Sequence, residues 1–348
     1  APKGARVALA NHRNELLIGD VDSGVLAVAD RSEAGRIRDL AWSPCGGWLA
    51  YAFDTSGRHT AIKLLDLGTG ATTLVTDPEF RDWCPSFDPA GRYLYFLSLR
   101  TYDPVYDSVQ FELSFPRAAR PYLLALQAGG APPFEPAPKG PAAEEPKHDK
   151  SEESKPVVVQ LDGIARRVAA FPVAEGRFGQ IAGVADGKVV WTLLPIPGAH
   201  GRGGHKDSPG ELQIFDFATG HTELVMAKAD AFTVAADART LLVREGQRLR
   251  AVAAKAGEEG DGEHDHATGR HSGWLDLGRI RLAIDPPLEW RQMLREVWRL
   301  QRDHFWVEDM SGVDWPAAWQ RYAPLLERVA TRGELSDLIW ELQGELGT

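Results

Sequence analysis

The sequence predicts a mainly β protein: a partial β-propeller of about five blades over residues 1–285, followed by a short α-helical segment over residues 286–348. A repeated motif carries the propeller prediction, because residues 40–51 and 85–96 match class by class at an offset of 45 positions. Both copies pass from an aromatic residue through a Pro-x-Gly turn into an aromatic-aliphatic strand. Proline presets φ, and glycine supplies the positive φ that a tight turn requires. A β-repeat of this length is typical of propeller blades.

A second repeated motif places the hairpin that follows. Residues 64–70 recur at 214–220 and, more loosely, at 18–24, each as a strand that ends in a Thr-Gly or Ser-Gly turn. Asp66 and Asp216 should therefore occupy equivalent turns, as Trp42 and Phe87 should occupy equivalent inner-strand positions. With both motifs, residues 38–77 give the four short strands of one blade.

The blade count follows from these repeats. Beside residues 38–77, we expect a blade over 82–126 that is completed by 157–161 or its neighbours, and further blades over 178–225 and 232–282. Residues 6–29 match only the later strands of the repeat, so the innermost strand of that blade is absent from the sequence.

Aromatic side chains recur at equivalent places in these blades. A core between neighbouring blades is a more frequent role for such residues than a ligand cage. We therefore assign this inter-blade core role to Trp42, Trp48, Tyr51, Phe87 and Tyr93.

Composition excludes several classes of function. The chain of 348 residues is 43% hydrophobic and 25% charged, as in globular proteins, and its net charge of −10 argues against binding nucleic acid or anionic membranes. No apolar run approaches the ~20 residues of a membrane span. Cys45 and Cys84 cannot form a disulfide framework, and residues 1–4 begin no signal peptide. A soluble, cytoplasmic protein without a cofactor is expected.

Two polar segments are predicted to be mobile inserts, residues 131–156 and 257–271. The second contains His264, Asp265, His266 and His271, which invite comparison with a metal site. Because they lie among glycines and acids that cannot fix a coordination geometry, we predict a solvated loop and no metal site.

Two further motifs, a pair of arginines and a histidine, suggest a binding or catalytic role but also have a structural explanation. Arg166 and Arg167 would bind peptide C-termini if they faced the propeller channel, but a solvated pair is favoured. His304 ends a predicted helix, where its charge complements the helix dipole, and no nucleophile is paired with it. No Gly-x-Ser-x-Gly elbow, phosphate loop or Cys-x-x-Cys pair is present in the sequence.

The last sixty residues predict three helices in succession. The first places Trp290, Leu294 and Trp298 on one face at a 3.6-residue period; the second begins at the N-cap Asp314, and the third at a capping box that opens with Thr331. Three short helices cannot bury all their tryptophans among themselves, so we expect packing on another protomer or weak order. The six tryptophans are Trp290, Trp298, Trp306, Trp315, Trp319 and Trp340.

This helical segment resembles the start of the catalytic half of tricorn-type serine peptidases, relatives of the C-terminal processing peptidases. The resemblance rests on the EW…W…RDHFW helix, the GVDW turn, the YAPLL stretch and the final GELGT. In that family GELGT is followed by Ser-His, whose His is the general base, and the nucleophilic Ser lies further along, beyond a PDZ-like domain. The resemblance implies that Ser-His follows Thr348 in the parent protein. This chain would then end one residue short of the catalytic His and hold no catalytic residue itself.

The same resemblance implies a seven-bladed propeller, of which about five blades are present, so that the chain is expected to be a fragment cut at both ends. The parent would be a cytoplasmic, homo-oligomeric serine endopeptidase that cleaves oligopeptides, with the propeller as a gate or sieve; the fragment alone would be inactive. The alternative is a non-catalytic propeller scaffold for protein–protein interaction. The sequence beyond Thr348 distinguishes the two.

Overall fold

The structure, a computed structural model, describes residues 1–102, 104–107, 112–114, 117–129, 134, 156–195, 209–257 and 267–347. Contacts divide the chain into two compact units, Ala1–Leu277 and Gly278–Thr348. The first unit is built of β-strands and the second of helices.

The first unit opens with two antiparallel sheets. The first sheet contains β1 (Arg6–Ala10), β2 (Glu15–Asp20) and β3 (Leu26–Arg31). The second is a four-stranded meander of β4 (Ile37–Trp42), β5 (Trp48–Asp54), β6 (Thr60–Asp66) and β7 (Thr72–Leu74). The blade predicted over residues 38–77 is thus confirmed.

The third sheet contains β8 (Arg81–Phe87) and β9 (Tyr93–Leu99), and one parallel bridge from Thr60 to Arg81 joins it to the second sheet. A short hairpin of β10 (Val105–Asp107) and β11 (Glu112–Ser114) follows. The strands β12 (Ala119–Ala125) and β13 (Val168–Ala170) complete the third sheet. The fourth contains β14 (Arg177–Val184), β15 (Lys188–Leu194), β16 (Gly210–Asp216) and β17 (His221–Ala229). The fifth contains β18 (Ala231–Val234), β19 (Thr240–Glu245) and β20 (Arg248–Ala253), with one bridge from Arg250 to Trp274.

Equivalent residues of different sheets occupy equivalent places, as predicted. Trp42 pairs with Leu49 in the second sheet, and Phe87 pairs with Leu94 in the third. The Asp66 and Asp216 carboxylates each accept a backbone N–H two residues on, at 2.8 Å. The repeats in the sequence therefore correspond to structural repeats.

One strand assignment was wrong. Residues 157–161 form no strand, and the third sheet is completed by β13 instead. Val157 is buried against Gly91, where a Cβ would lie 2.8 Å from the valine, and the Trp48 indole donates to the Val157 carbonyl at 3.2 Å. Through these contacts the segment packs on the second and third sheets instead of forming a ladder.

Neighbouring sheets of the first unit pack face to face through apolar clusters. This stacking of short antiparallel sheets is the propeller arrangement that the sequence predicts. The inter-blade core role is confirmed for all five aromatic residues, which lie in these clusters: Trp42 and Tyr51 between the first and second sheets, Trp48 and Phe87 between the second and third, and Tyr93 between the third and fourth.

The second unit contains the three predicted helices, α1 (Pro286–His304), α2 (Trp315–Tyr322) and α3 (Arg332–Gly344). The Asp314 carboxylate accepts the Ala317 N–H at 2.9 Å, which confirms it as an N-cap. Trp298 and Trp315 join α1 to α2, because each indole N–H donates to the carbonyl of the other residue, at 2.9 and 2.8 Å.

The predicted excess of aromatic surface is confirmed at two positions of the second unit. Trp315 is buried, and Trp290, Trp298 and Trp319 are half-buried, but Trp306 is 76% and Trp340 is 74% exposed. Weak order of the helices, or their packing on another protomer, stays a prediction.

Replacing Gly183 with alanine should destabilise the first unit by about 1–3 kcal/mol, since overpacking a close contact forces backbone shifts. A Cβ at Gly183 in β14 would lie 2.8 Å from the Phe87 carbonyl oxygen of the next sheet. The matched control is Gly57→Ala, because nothing lies within 4 Å of a Cβ there. Urea unfolding should show a lowered midpoint for the first variant alone; equal midpoints would contradict this close packing.

Glu334 should make the stability of α3 depend on pH. Hydrogen bonds from the backbone N–H groups of Ala330 and Thr331 hold the pKa of its carboxyl below the ordinary value of 4.5. Since the folded pKa is the lower one, the contribution is present above the unfolded pKa and is lost as pH falls through the folded pKa. The stability difference between the wild type and Glu334→Gln should therefore be present at pH 7 and shrink towards pH 3. A difference that does not change with pH would contradict the capping role.

Candidate functional site

The first strands of successive sheets lie side by side and line the inner edge of the stack. β4 contacts β8, β8 contacts β14, and β14 contacts β18. The first three of these strands are irregular, with register shifts between Arg38 and Ala41, Trp83 and Ser86, and Phe178 and Ile181. Such bulges bend a strand and change the direction of a side chain.

Each bulge sends a side chain to the backbone of the next sheet. The Asp39 carboxylate accepts the Cys84 N–H at 3.0 Å, and the Gln180 side-chain oxygen accepts the Phe232 N–H at 2.9 Å. The Cys84 thiol donates to the Ile181 carbonyl at 3.8 Å. Asp39 and Cys84 both have positive φ, 55° and 53°. We call these contacts the inner-strand ties.

A cavity of about 410 Å³ lies beside the first tie, at the end where β4 and β8 begin. We call it the inner-strand cavity; five of its seven lining residues are polar or charged, with both signs of charge, and the other two are apolar. The lining residues are Arg38, Asp39, Thr60, Arg81, Asp82, Trp83 and Leu99.

Arg38 is held in place on the wall that the second sheet provides. Its guanidinium lies 3.1 Å from the Asp54 carboxylate and donates to the Thr60 hydroxyl at 3.2 Å. The Thr60 hydroxyl in turn donates to Asp54 at 2.8 Å. This ring of three contacts neutralises Arg38 and fixes its position.

The wall from the third sheet contains a buried ion pair. The Asp82 side chain is fully buried and lies 3.1 Å from Arg100 Nη2, with the Ser98 hydroxyl as a further donor. Burial raises the pKa of the Asp82 carboxyl above its ordinary value, although Arg100 favours the charged form. The Arg100 guanidinium also lies over the Phe80 ring, 4.4 Å from its centroid.

Two charges of the lining remain exposed, Arg81 and Asp39. Within the described residues no hydrogen bond or ion pair is found for the Arg81 guanidinium. The lining contains no Ser, His or Cys, and its one hydroxyl, that of Thr60, is engaged by Arg38 and Asp54. The groups that the inner-strand cavity presents to a ligand are therefore the charges of Arg81 and Asp39.

The sequence motif that marks this cavity was missed. An Arg-Asp dipeptide opens the first strand of two neighbouring blades, at residues 38–39 and 81–82. The recurrence of charged pairs at a strand start, so close to the predicted inner edge, is the signal that could have located the site.

Arg166 and Arg167 do not face the inner strands, so the peptide-binding alternative was wrong. They form a 3-10 turn, Ile164–Arg167, that leads into β13 at the outer edge of the third sheet. Arg167 donates to the carbonyls of Ala125 and Asp162 at 3.0 and 3.1 Å. Arg167 thus satisfies turn carbonyls, and Arg166 is exposed.

The remaining candidates are placed as follows. Cys45 and Cys84 are free thiols. Burial raises the pKa of Cys84 to about 11; burial also opposes ionisation of Cys45, but hydrogen bonds from Ser43 and the Val157 N–H hold the pKa of that thiol below its ordinary value. His304 lies in the last turn of α1, as predicted.

The two predicted inserts fall largely outside the described residues. His264, Asp265 and His266 lie outside them, whereas His271 is described and exposed. In the first insert, Phe134 is described and packs on Phe171, with ring centroids 5.1 Å apart. In the part of the chain that the structure describes, no group of three or more His, Cys, Asp or Glu residues is placed to hold a metal ion.

Replacing Arg100 with methionine should destabilise the first unit by about 3–5 kcal/mol, because the buried Asp82 carboxylate loses its partner. The matched control is Arg81→Met at the exposed rim of the same cavity, which should change stability by less than about 0.5 kcal/mol. The free energy of unfolding in urea measures both. Equal effects of the two substitutions would contradict the conclusion that Arg100 stabilises the cavity wall while Arg81 lies exposed at its rim.

Both parts of the chain match models of one family. Residues 1–255 match the tricorn protease second beta propeller domain, and residues 286–344 match the tricorn protease C1 domain. The crystal structure of the tricorn protease superposes with a TM-score of 0.80 at 24% identity, over 99% of this chain and 32% of that one.

Curated relatives agree. Tricorn protease homolog 1 of Streptomyces coelicolor is 37% identical over 100% of this chain and 33% of its own length. The tricorn protease homolog of Saccharolobus solfataricus is 36% identical over 100% of this chain and 31% of its own length. The chain therefore spans about a third of these relatives. Since the propeller model alone matches residues 1–255, the chain belongs to the tricorn protease family.

Proposed function

We propose that the chain is part of a serine-type endopeptidase that degrades oligopeptides, with the β-propeller as a gate or sieve for the substrate. The observation that carries the proposal is the match of both units, in order, to two domains of one protease family. Both relatives carry the word protease in their names, and each aligns with the whole length of this chain. A scaffold without catalysis would not require the second of these domains beside the first.

The proposed reaction is acyl transfer by residues that this chain does not contain. A serine attacks the peptide carbonyl, a histidine takes its proton, and backbone N–H groups stabilise the oxyanion. The resemblance implies that the histidine follows Thr348 and that the serine lies further along the parent protein. The 348-residue chain would then bind or guide peptides without cleaving them.

The inner-strand cavity supports the sieve. Five of its seven lining residues lie in the first strands β4 and β8, which the tie from Asp39 to Cys84 joins. The paired charges of Arg38 and Asp82 are fixed by their partners. Arg81 and Asp39 remain exposed to a passing chain. An extended peptide presents carbonyls, N–H groups and termini that these charges can contact, whereas a folded domain covers them.

The setting of the parent protein is also a proposal: a cytoplasmic homo-oligomer that acts on peptides without binding nucleic acid or membranes. The net charge of −10 and the two free thiols support this setting. Among the described residues, none of the helices combines the length and apolar composition that a membrane crossing requires.

The natural gene product that contains this sequence should hydrolyse fluorogenic oligopeptides, and a serine-directed inhibitor should abolish the activity. The 348-residue chain, assayed at the same molar concentration, should show no turnover above the buffer rate, since the nucleophile lies outside it. A gene product without inhibitor-sensitive turnover would overturn the peptidase and favour the scaffold. Activity of the 348-residue chain that survives repeated purification would place the nucleophile within it.

If the propeller acts as a sieve, the gene product should prefer extended substrates. One peptide sequence can be offered free and within a disulfide-stapled folded domain, and the gene product should cleave only the free form. Arg81→Met, whose stability is tested above, should lower kcat/KM for the free peptide. Equal cleavage of both forms would contradict the sieve while leaving the peptidase intact.

A further inference from the structure

The segment that leads into α1 has the pattern of a strand with one apolar face. We call residues 279–285, Arg-Ile-Arg-Leu-Ala-Ile-Asp, the linker strand; its first residue, Arg279, ends a 3-10 turn (Leu277–Arg279) and would have to extend to pair as a strand. Its apolar residues stand at every second position, as on one face of a β-strand. Ile280, Leu282 and Ile284 are 59%, 83% and 67% exposed, and Leu282 is the most exposed large hydrophobic side chain of the described residues.

Most of the backbone of the linker strand is also without hydrogen-bond partners in the described residues. Ile280 to Asp285 forms neither helix nor turn, and Asp285 has extended dihedral angles of −111° and 102°. In the described part of the chain, no backbone hydrogen bond to another segment is found for residues 281–284. The carbonyls of Ile280 and Asp285 accept from Arg281 Nη1 and from the Glu289 N–H, so residues 281–284 are the part that lacks backbone partners. An exposed, extended, apolar segment of this kind is a template for strand pairing.

We propose that the linker strand pairs with the linker strand of a second copy of this chain, antiparallel and centred on Leu282. In this register Leu282 faces its own counterpart, and Ile280 faces Ile284 of the other copy. All six apolar side chains then lie on one face of the pair. Cross-strand contacts of this kind are the unit of sheet stabilisation.

Charge complementarity selects a second copy as the occupant. The same register sets Arg279 opposite Asp285, and the two-fold axis produces this pair twice. The Asp285 carboxylate caps α1 through Oδ1, which accepts the Leu288 N–H at 3.4 Å. Its other oxygen is left for Arg279, because a carboxylate accepts several hydrogen bonds. A purely acidic or purely basic partner would satisfy only one end of the strand.

Neighbouring registers fit less well. Centring on Arg281 would place two arginines opposite each other, which is destabilising. Centring on Ala283 would set Ile280 against Pro286, the first residue of α1, which has no N–H to donate. A strand of this length buries less than the ~1,200–2,000 Å² of a standard interface, so the dimer should be weak and depend on concentration.

Disulfide trapping in the full 348-residue chain tests the pairing. With Leu282→Cys, mild oxidation should yield a covalent dimer, because opposed Cα atoms of antiparallel strands, ~4.5–5.5 Å apart, suit a disulfide. Ala283→Cys is the matched control. Its counterpart lies two residues further along the strand, so trapping should be at least about ten-fold slower, the Cα separation exceeding the ~7 Å that a disulfide tolerates. The wild type reports any background from Cys45 and Cys84.

Two further comparisons test the register of the paired strands and the contribution of the Arg279–Asp285 pair. Ile280→Cys and Ile284→Cys should each stay monomeric alone and form a mixed disulfide when combined. Arg279→Glu should slow trapping of the Leu282→Cys chain by about ten-fold, while Arg281→Glu, which faces Ala283, should change it less than about two-fold. A monomeric Leu282→Cys chain, equal trapping at 282 and 283, or equal effects of the two charge reversals would overturn the proposal. The pairing requires no peptidase activity, so its failure leaves the proposed function untouched.

Discussion

The first unit depends on contacts between the first strands of neighbouring sheets. Backbone ladders hold each sheet together, whereas isolated bridges join neighbouring sheets in the described residues, from Thr60 to Arg81 and from Ala119 to Gly176. Contacts between the sheets are therefore made mainly by side chains. Apolar clusters supply the burial, and the inner-strand ties set the spacing, since a hydrogen bond tolerates less displacement than an apolar contact.

The position of the inner-strand cavity follows from these ties. A bulge at Asp39 turns its carboxylate towards Cys84, and the cavity opens where β4 and β8 begin, beside that contact. The buried Asp82 and Arg100 stabilise the wall, while Arg81 stays at the rim. The contact between β4 and β8 thus stabilises the fold and leaves the charges of Arg81 and Asp39 exposed along the inner edge, where a sieve would need charged groups.

Much of the fold could be predicted because its turns have strict chemical requirements. A Pro-x-Gly turn and a Thr-Gly turn need particular residues, so their repeats revealed the blades. The bulges have no such signal, because the tie is made by Asp39, by Cys84 and by Gln180, three unrelated side chains. Likewise, Met310, Ser311 and Gly312 all adopt positive φ, and only the glycine would suggest it. The cavity was missed because its two Arg-Asp pairs stand 43 positions apart, out of step with the 45-residue repeat, and because the lining meets only when two blades pack.

Hydrogen exchange at three backbone amides tests the central claim, that the inner-strand ties join the sheets into one stack. In the inner-strand ties, the Cys84 and Phe232 amides donate to the side chains of Asp39 and Gln180 of the neighbouring sheet. The Gly183 amide makes a contact of the same kind, to the Ser86 hydroxyl of the third sheet at 3.2 Å. The ties predict that these amides exchange as slowly as ladder amides in β9 and β15, because both open only when the stack does. Rapid exchange at all three, with the ladders still protected, would contradict the claim and leave the sheets joined by apolar packing alone.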